Sequence, residues 1–186
     1  MTGLPRPRDL GEPVGALVLE LAGHLGEWQT VETCVALLRG ADRAEHLDAL
    51  RYLARRSFEP GDRALEPTSW KDHWPRTWGA RGLLYVWHDS AFEAVVDGLA
   101  DAEWRPAEMC LKVATRREVG SAGDGAVLLS RHELPRVRAQ ALRTLGAVGD
   151  TEHLDAVREA ADDASPVVRR QAARALDRLA ERLDLP

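Results

Sequence analysis

Cysteine is scarce in this chain of 186 residues, with only Cys34 and Cys110 present. Two thiols are too few for a disulfide framework or a cysteine-built metal cage, so stability must come from a buried apolar core. Isoleucine, threonine and tyrosine are sparse beside alanine, leucine, arginine and glutamate, which favours helix over strand. No stretch approaches the roughly 18 apolar residues that would cross a membrane. The apolar run from Gly15 to Leu21 is interrupted at Glu20, and the opening segment MTGLPRPRDLGEP has no apolar core suited to export. A cytoplasmic protein without a membrane segment is therefore expected. A basic excess is missing too: the formal charge is −5 and the acidic surplus is spread along the chain. That argues against a general nucleic-acid binder. There is no phosphate-cradling glycine loop, no nucleophile elbow and no HExxH, so no catalytic residue, cofactor or metal is assigned.

What is present is a repeat. With 45% hydrophobic and 30% charged residues the chain reads as soluble and globular, and its clearest internal copies are PRVRAQALRTL from Pro135 and PVVRRQAARAL from Pro166, 31 residues apart. In that frame the column Gly79, Cys110, Ala141, Ala172 is always small, and the column Arg81, Lys112, Arg143, Arg174 is always basic. The intervening segments keep the frame, with Val95, Ala126 and Val157 aligned. Ser90 followed by Glu93 reads as a capping box, and Ser165 before Pro166 as a second helix start. In the last helix Val168, Ala172, Leu176, Leu179 and Leu183 form one stripe opposite Arg170, Arg174, Asp177 and Glu181, as suits a terminal cap.

The N-terminal part is more worn. AEHLDALR from Ala44 returns as TEHLDAVR from Thr151, an offset of 107 residues; three periods account for 93 and leave 14 inserted after Arg56. The segment 57–69, rich in Pro and Gly, has that size and the composition of a surface loop. The layout expected is an N-terminal tail over 1–10 and a single repeat domain over 11–186, all-α, an α-solenoid of about five helix pairs.

This pattern resembles the HEAT-repeat superfamily, specifically the short type found in bilin-lyase-like proteins. The residues that carry the resemblance are Pro135-Arg136-Val137-Arg138 and Pro166-Val167-Val168-Arg169, with looser versions at Trp104-Arg105-Pro106 and Trp74-Pro75-Arg76. The resemblance spans roughly residues 11–182 and implies a fold. It is nearly silent on activity, because such repeats serve scaffolds, chaperones and a few enzymes.

Six tryptophans are the most unusual feature. Trp28, Trp74 and Trp104 fall at the start of the second helix of three successive pairs, where the last two pairs place proline. Trp70 and Trp78 fall close by, with Arg76 and Arg105 beside them. One reading is an aromatic edge suited to a peptide or partner helix; the other is that each indole plugs the gap between repeats. The basic column reads either as a stripe on an inner surface or as a solvated ladder paired with acids such as Glu108 and Asp177. His132-Glu133 is a lone pair, and Glu45-His46 and Glu152-His153 are reversed and sit on the other helix of the pair, which removes the basis for a metal site. Cys34 and Cys110 fall in small or apolar columns and read as core residues.

Two functions compete. The leading one is a non-enzymatic scaffold or adaptor presenting a concave helical surface and a tryptophan-rich edge to another protein or peptide. The alternative is a DNA-binding enzyme resembling the HEAT-like alkylpurine DNA glycosylases, for which Trp74, Trp78, Asp72 and Arg76 supply the residue types but no matching motif. For a bilin-lyase-like role nothing beyond the repeat speaks.

Overall fold

The computed structural model describes residues 3–58 and 73–185. Ten α-helices lie among the described residues, joined by short turns and 3-10 segments, with no strand. They follow one another as consecutive helix pairs, the order of an α-solenoid. None is long and apolar enough to cross a membrane. Apart from Ser57 and Phe58, the expected insertion at 57–69 lies outside the described residues. The chain divides into two compact units, residues 1–94 and 95–186.

The first unit holds α1 (Val14–Leu25), α2 (Glu27–Leu38), α3 (Leu47–Ala54) and α4 (His73–Gly82). A single residue, Gly26 at φ +86°, separates α1 from α2, a turn open to glycine because it has no Cβ to clash. Helix α1 buries one stripe, Leu17, Val18 and Leu21, whereas α2 buries Thr30, Val31, Cys34, Val35, Leu37 and Leu38 and is the central helix. Helices α2 and α4 meet where a side chain cannot fit. A methyl on Gly79 would lie 2.5 Å from the Cys34 carbonyl oxygen and 2.9 Å from both Leu37 Cβ and Leu38 N. The N-terminal segment is tied down: the Tyr52 hydroxyl donates to the Pro5 carbonyl at 2.8 Å, and Arg55 donates to the Gly11 carbonyl at 2.9 Å.

The second unit begins within α5 (Phe92–Asp97) and continues through α6 (Trp104–Arg117), α7 (Gly123–Leu129), α8 (Pro135–Val148), α9 (Leu154–Glu159) and α10 (Pro166–Leu183). Helices α6, α8 and α10 are long, and α7 and α9 are short. The long ones run parallel, because their contacts advance together: Glu108 with Arg136, Thr115 with Thr144, Gly146 with Ala175, and Arg182 with the Gly149 carbonyl. Cys110, Ala141 and Ala172, the small column of the repeat, are fully buried. In α10 the deeply buried stripe is Val168, Ala172, Ala175 and Leu179, while Leu176 and Leu183 are only half-buried.

Each turn leading into a long helix is built alike. Asp101, His132 and Asp163, one period apart, accept the backbone N–H two residues on, from Glu103, Leu134 and Ser165, at 2.8, 3.0 and 2.7 Å. In the last two repeats the arginine of the Val-Arg pair then grips the turn. Arg138 donates to the carbonyls of His132 and Glu133, both at 2.9 Å, and Arg169 to those of Asp163 and Ala164 at 2.7 and 3.0 Å. Arg138 also forms a two-bond fork with the Asp163 carboxylate at 2.7 and 2.9 Å, so it holds its own turn and the next.

Two helix starts differ from the sequence reading. Ser90 and Glu93 form no capping box; the ring Nδ1 of His88 caps instead, accepting the Ser90 N–H at 3.1 Å, and Glu93 pairs with Arg39 at 3.8 Å. The box that does form is Asp150 with His153, where the ring Nδ1 accepts the Asp150 N–H at 2.7 Å. A histidine nitrogen can do the work of a carboxylate oxygen at this geometry. Ser165 stands at its expected N-cap position, with Pro166 following, but its hydroxyl makes no cap bond.

Two outcomes are expected. Gly79→Ala should lose about 1–3 kcal/mol through overpacking against backbone. Gly23→Ala, in α1 with nothing within 4 Å of the added methyl, should gain about 0.5–1 kcal/mol. Urea unfolding of the pair checks both; equal effects would contradict the close approach of α2 and α4. The second concerns Asp163, whose carboxyl the Arg138 fork holds below the usual carboxylate range, against the opposing pull of burial and with help from the Ser165 N–H. Its folded pKa lies below its unfolded one, so the stabilisation is complete above the unfolded value of about 3.9 and is lost as pH falls through the folded value. Asp163→Asn should cost about 1–2 kcal/mol at neutral pH, and the gap from wild type should close as pH falls through the lowered folded pKa. A gap unchanged by acid would show that the fork contributes nothing electrostatic.

Candidate functional site

Two tryptophans of the first unit, Trp28 and Trp74, occupy first turns of second helices. Trp28 is the second residue of α2 and Trp74 the second residue of α4. Trp28 is 53% exposed, and its ring meets the edge of the His88 ring at 4.5 Å with an interplanar angle of 80°. Trp74 and Trp78, one helical turn apart on α4, stack with centroids 5.6 Å apart and planes at 26°, both half-buried. His73 leans on Trp74 at 5.1 Å. Arg76 is half-buried on the same helix, and Trp70 lies outside the described residues, as does Asp72. The sixth indole, Trp87, donates to the Asp89 carboxylate at 3.2 Å and packs edge-on against Phe92.

In the second unit Trp104 is the first residue of α6, so its equivalent one period earlier is His73 rather than Trp74. The guanidinium carbons of Arg105 and Arg136 lie 4.3 and 4.8 Å from the centroid of its half-buried ring, cation–π contacts made within the chain. Arg136 also forks onto the buried Glu108 carboxylate at 2.8 and 3.0 Å, and Lys112 reaches the same group at 3.2 Å. Trp104 and Arg105 are thus part of an aromatic and charged cluster whose anchor, Glu108, the sequence suggested only as a partner for the basic column.

That column divides. Arg81 donates to the Leu53 carbonyl and Lys112 pairs with Glu108, while Arg143 and Arg174 project into solvent. Among the described residues one cluster combines three ligand-type groups, Asp124, Glu152 and His153, whose ligand atoms lie within 4.8 Å of one another. It does not fit a metal. The His153 Nδ1 accepts the Asp150 N–H and so carries no proton, which places the proton of the neutral ring on Nε2, the nitrogen facing Asp124 Oδ1 at 3.4 Å. A metal on Nε2 would require an imidazolate. Both cysteines are free and fully buried, and burial pushes the Cys34 thiol up to about 12 and the Cys110 thiol up as well. They are core residues, not nucleophiles.

Against known families, residues 126–186 match HEAT repeats. That span carries HEAT repeats. The matched span covers α8, α9 and α10 with the end of α7, the part in which the Val-Arg grip and the Asp or His turn are both complete. HEAT repeats generally serve as protein-interaction scaffolds, because stacked helix pairs expose a long surface whose side chains vary without harm to the fold. No curated protein matches the chain.

The buried thiols give a direct check on the core. With a thiol-specific aromatic disulfide near pH 8, the native protein should react slowly at both cysteines, and both should react at once after denaturation. Rapid reaction of either in the native state would place that helix contact open.

Proposed function

We propose that this HEAT-repeat protein is a non-enzymatic adaptor and that the tryptophan-bearing helix starts of its first unit receive another protein or peptide. The observation that carries the reading is Trp28, a large aromatic more than half exposed on the first turn of α2 and steadied by the His88 ring. An indole held in one orientation offers large contact area at little cost in side-chain entropy, the usual chemistry of an interface anchor. The stacked Trp74–Trp78 pair on α4, with Arg76 on the same helix, supplies a second aromatic surface in the same unit, next in sequence to Trp70. Trp104 and Arg105 form a cationic and aromatic patch of their own in the second unit. A HEAT array offers an extended surface for contact, and this adaptor uses the part that carries these tryptophans.

Anchoring and packing separate by measurement. Trp28→Ala should shift the unfolding free energy by less than about 1 kcal/mol. It should also remove most of the partner captured by the immobilised protein from native lysate, since a central aromatic anchor contributes about 2 kcal/mol or more to binding. Capture unchanged by both Trp28→Ala and Trp78→Ala would overturn the reading. So would a loss of stability at Trp28 of about 3 kcal/mol, the mark of a core residue.

A further inference from the structure

A cleft of about 550 Å³ lies between α8 and α10, lined by Arg143, Gln171, Arg174, Asp177 and Arg178. Its residues belong to the repeat frame, so each can be compared with its equivalent one period earlier, between α6 and α8. There the equivalent of Arg143 is Lys112, which the buried Glu108 neutralises from one turn before it. One and two periods on, the position of Glu108 is taken by Ala139 and Arg170, so neither Arg143 nor Arg174 has an acid there. Neither of these side chains, nor that of Arg178, makes a hydrogen bond or ion pair among the described residues.

The polar groups beneath them change in step. Between α6 and α8 the Gln140 amide donates to Thr115 Oγ1 at 3.4 Å, and the Thr115 and Thr144 hydroxyls lie 3.0 Å apart. One period later the two threonines are Gly146 and Ala175, which pack so closely that a methyl on Gly146 would sit 3.0 Å from Ala175 Cα. Gln171, the equivalent of Gln140, is 8% exposed and has lost the hydroxyl partner its counterpart uses. Its amide lines the cleft with donors and an acceptor to spare. The repeat has therefore removed, at one place, both the acid one turn before each arginine and the hydroxyl that would pair with the buried glutamine.

We propose that this cleft binds a carboxylate-rich peptide segment of a partner protein, with Arg143 and Arg174 each forking onto a glutamate or aspartate side chain and Gln171 pairing with the peptide backbone. Guanidinium groups are planar and suited to two-bond recognition of carboxylates. Both guanidinium groups are exposed and so within reach of a partner's carboxylates. Asp177 on the rim and a chain charge of −5 oppose a dense polyanion such as nucleic acid, whereas Asp177 can accept a peptide N–H. The cleft uses none of the tryptophans of the first unit, so its failure and theirs are separate results.

The test is fluorescence anisotropy of the full chain with a fluorescein-labelled glutamate-rich peptide, beside a phosphoserine peptide and a thymidine oligonucleotide of matched length. The wild type should bind the glutamate peptide most tightly and lose affinity as salt rises. Arg143→Ala with Arg174→Ala should weaken binding at least tenfold, by about the strength of a charge-assisted pair. The corresponding double lysine variant, which keeps charge but loses the fork, should fall between. Asp177→Asn should tighten binding, and Arg116→Ala, an exposed arginine outside the cleft, should leave it unchanged. Circular dichroism confirms that each variant folds, and Arg178→Glu provides an independent loss of affinity should the double variant unfold. No binding by the wild type, equal binding by the double alanine variant, or tighter binding of the phosphopeptide or oligonucleotide would overturn the proposal.

Discussion

Close approach of neighbouring second helices governs the rest of this structure. At Gly79 the α4 backbone lies against the α2 backbone, and at Gly146 the α8 backbone lies against that of α10. Buried Cys110, Ala141 and Ala172 occupy the same column as Gly79. A side chain larger than these would push two helices apart along their length, and the layer of Val137, Val168, Leu142, Leu145 and Leu179 would lose contact together. Tight packing at the small column also sets the register of everything one turn away. Thr115 meets Thr144, and Arg143 stands beside Arg174, because the backbones beneath them cannot slide.

The arginines show how such a scaffold separates structural work from surface chemistry. Arg81, Arg138, Arg169 and Arg182 donate to backbone carbonyls, and Arg136 satisfies a buried carboxylate. These side chains close helix ends and turns that would otherwise leave acceptors without partners. Arg143, Arg174 and Arg178 have no such task. In an acidic chain built from a repeat, cations left unmatched at one position, above a glutamine left without its hydroxyl, are a departure from the repeat's own rule. Departures of that kind are where contact with other molecules is to be sought.

Much of the fold was legible because repeats print packing constraints into columns. The small column at 79, 110, 141 and 172 marked the helix contacts, and the Pro and Val-Arg openings placed α8 and α10 at Pro135 and Pro166. What stayed hidden depends on partners distant in sequence. Nothing local distinguishes His88, whose ring caps a helix and steadies Trp28, from an ordinary turn histidine. Ser90 and Glu93 have the right spacing for a box, yet His88 supplied the acceptor first and Glu93 turned to Arg39. The basic column looked uniform, and only the fate of the acid one turn earlier separates Lys112 from Arg143. The tryptophan positions were legible as helix starts, but Trp28 and Trp104, alike in the sequence, differ in exposure because Trp104 has Arg105 and Arg136 over its ring.

The double grip of Arg138 has a mechanical meaning. One guanidinium ties the carbonyls of the turn before α8 to the carboxylate of the turn before α10, and that carboxylate in turn receives the Ser165 N–H that starts α10. Force applied to the C-terminal helix is therefore delivered to the start of α8 rather than dissipated at the edge of the stack. Peeling the start of α10 away costs the neighbouring turn its clasp, so the last two repeats resist traction as one body.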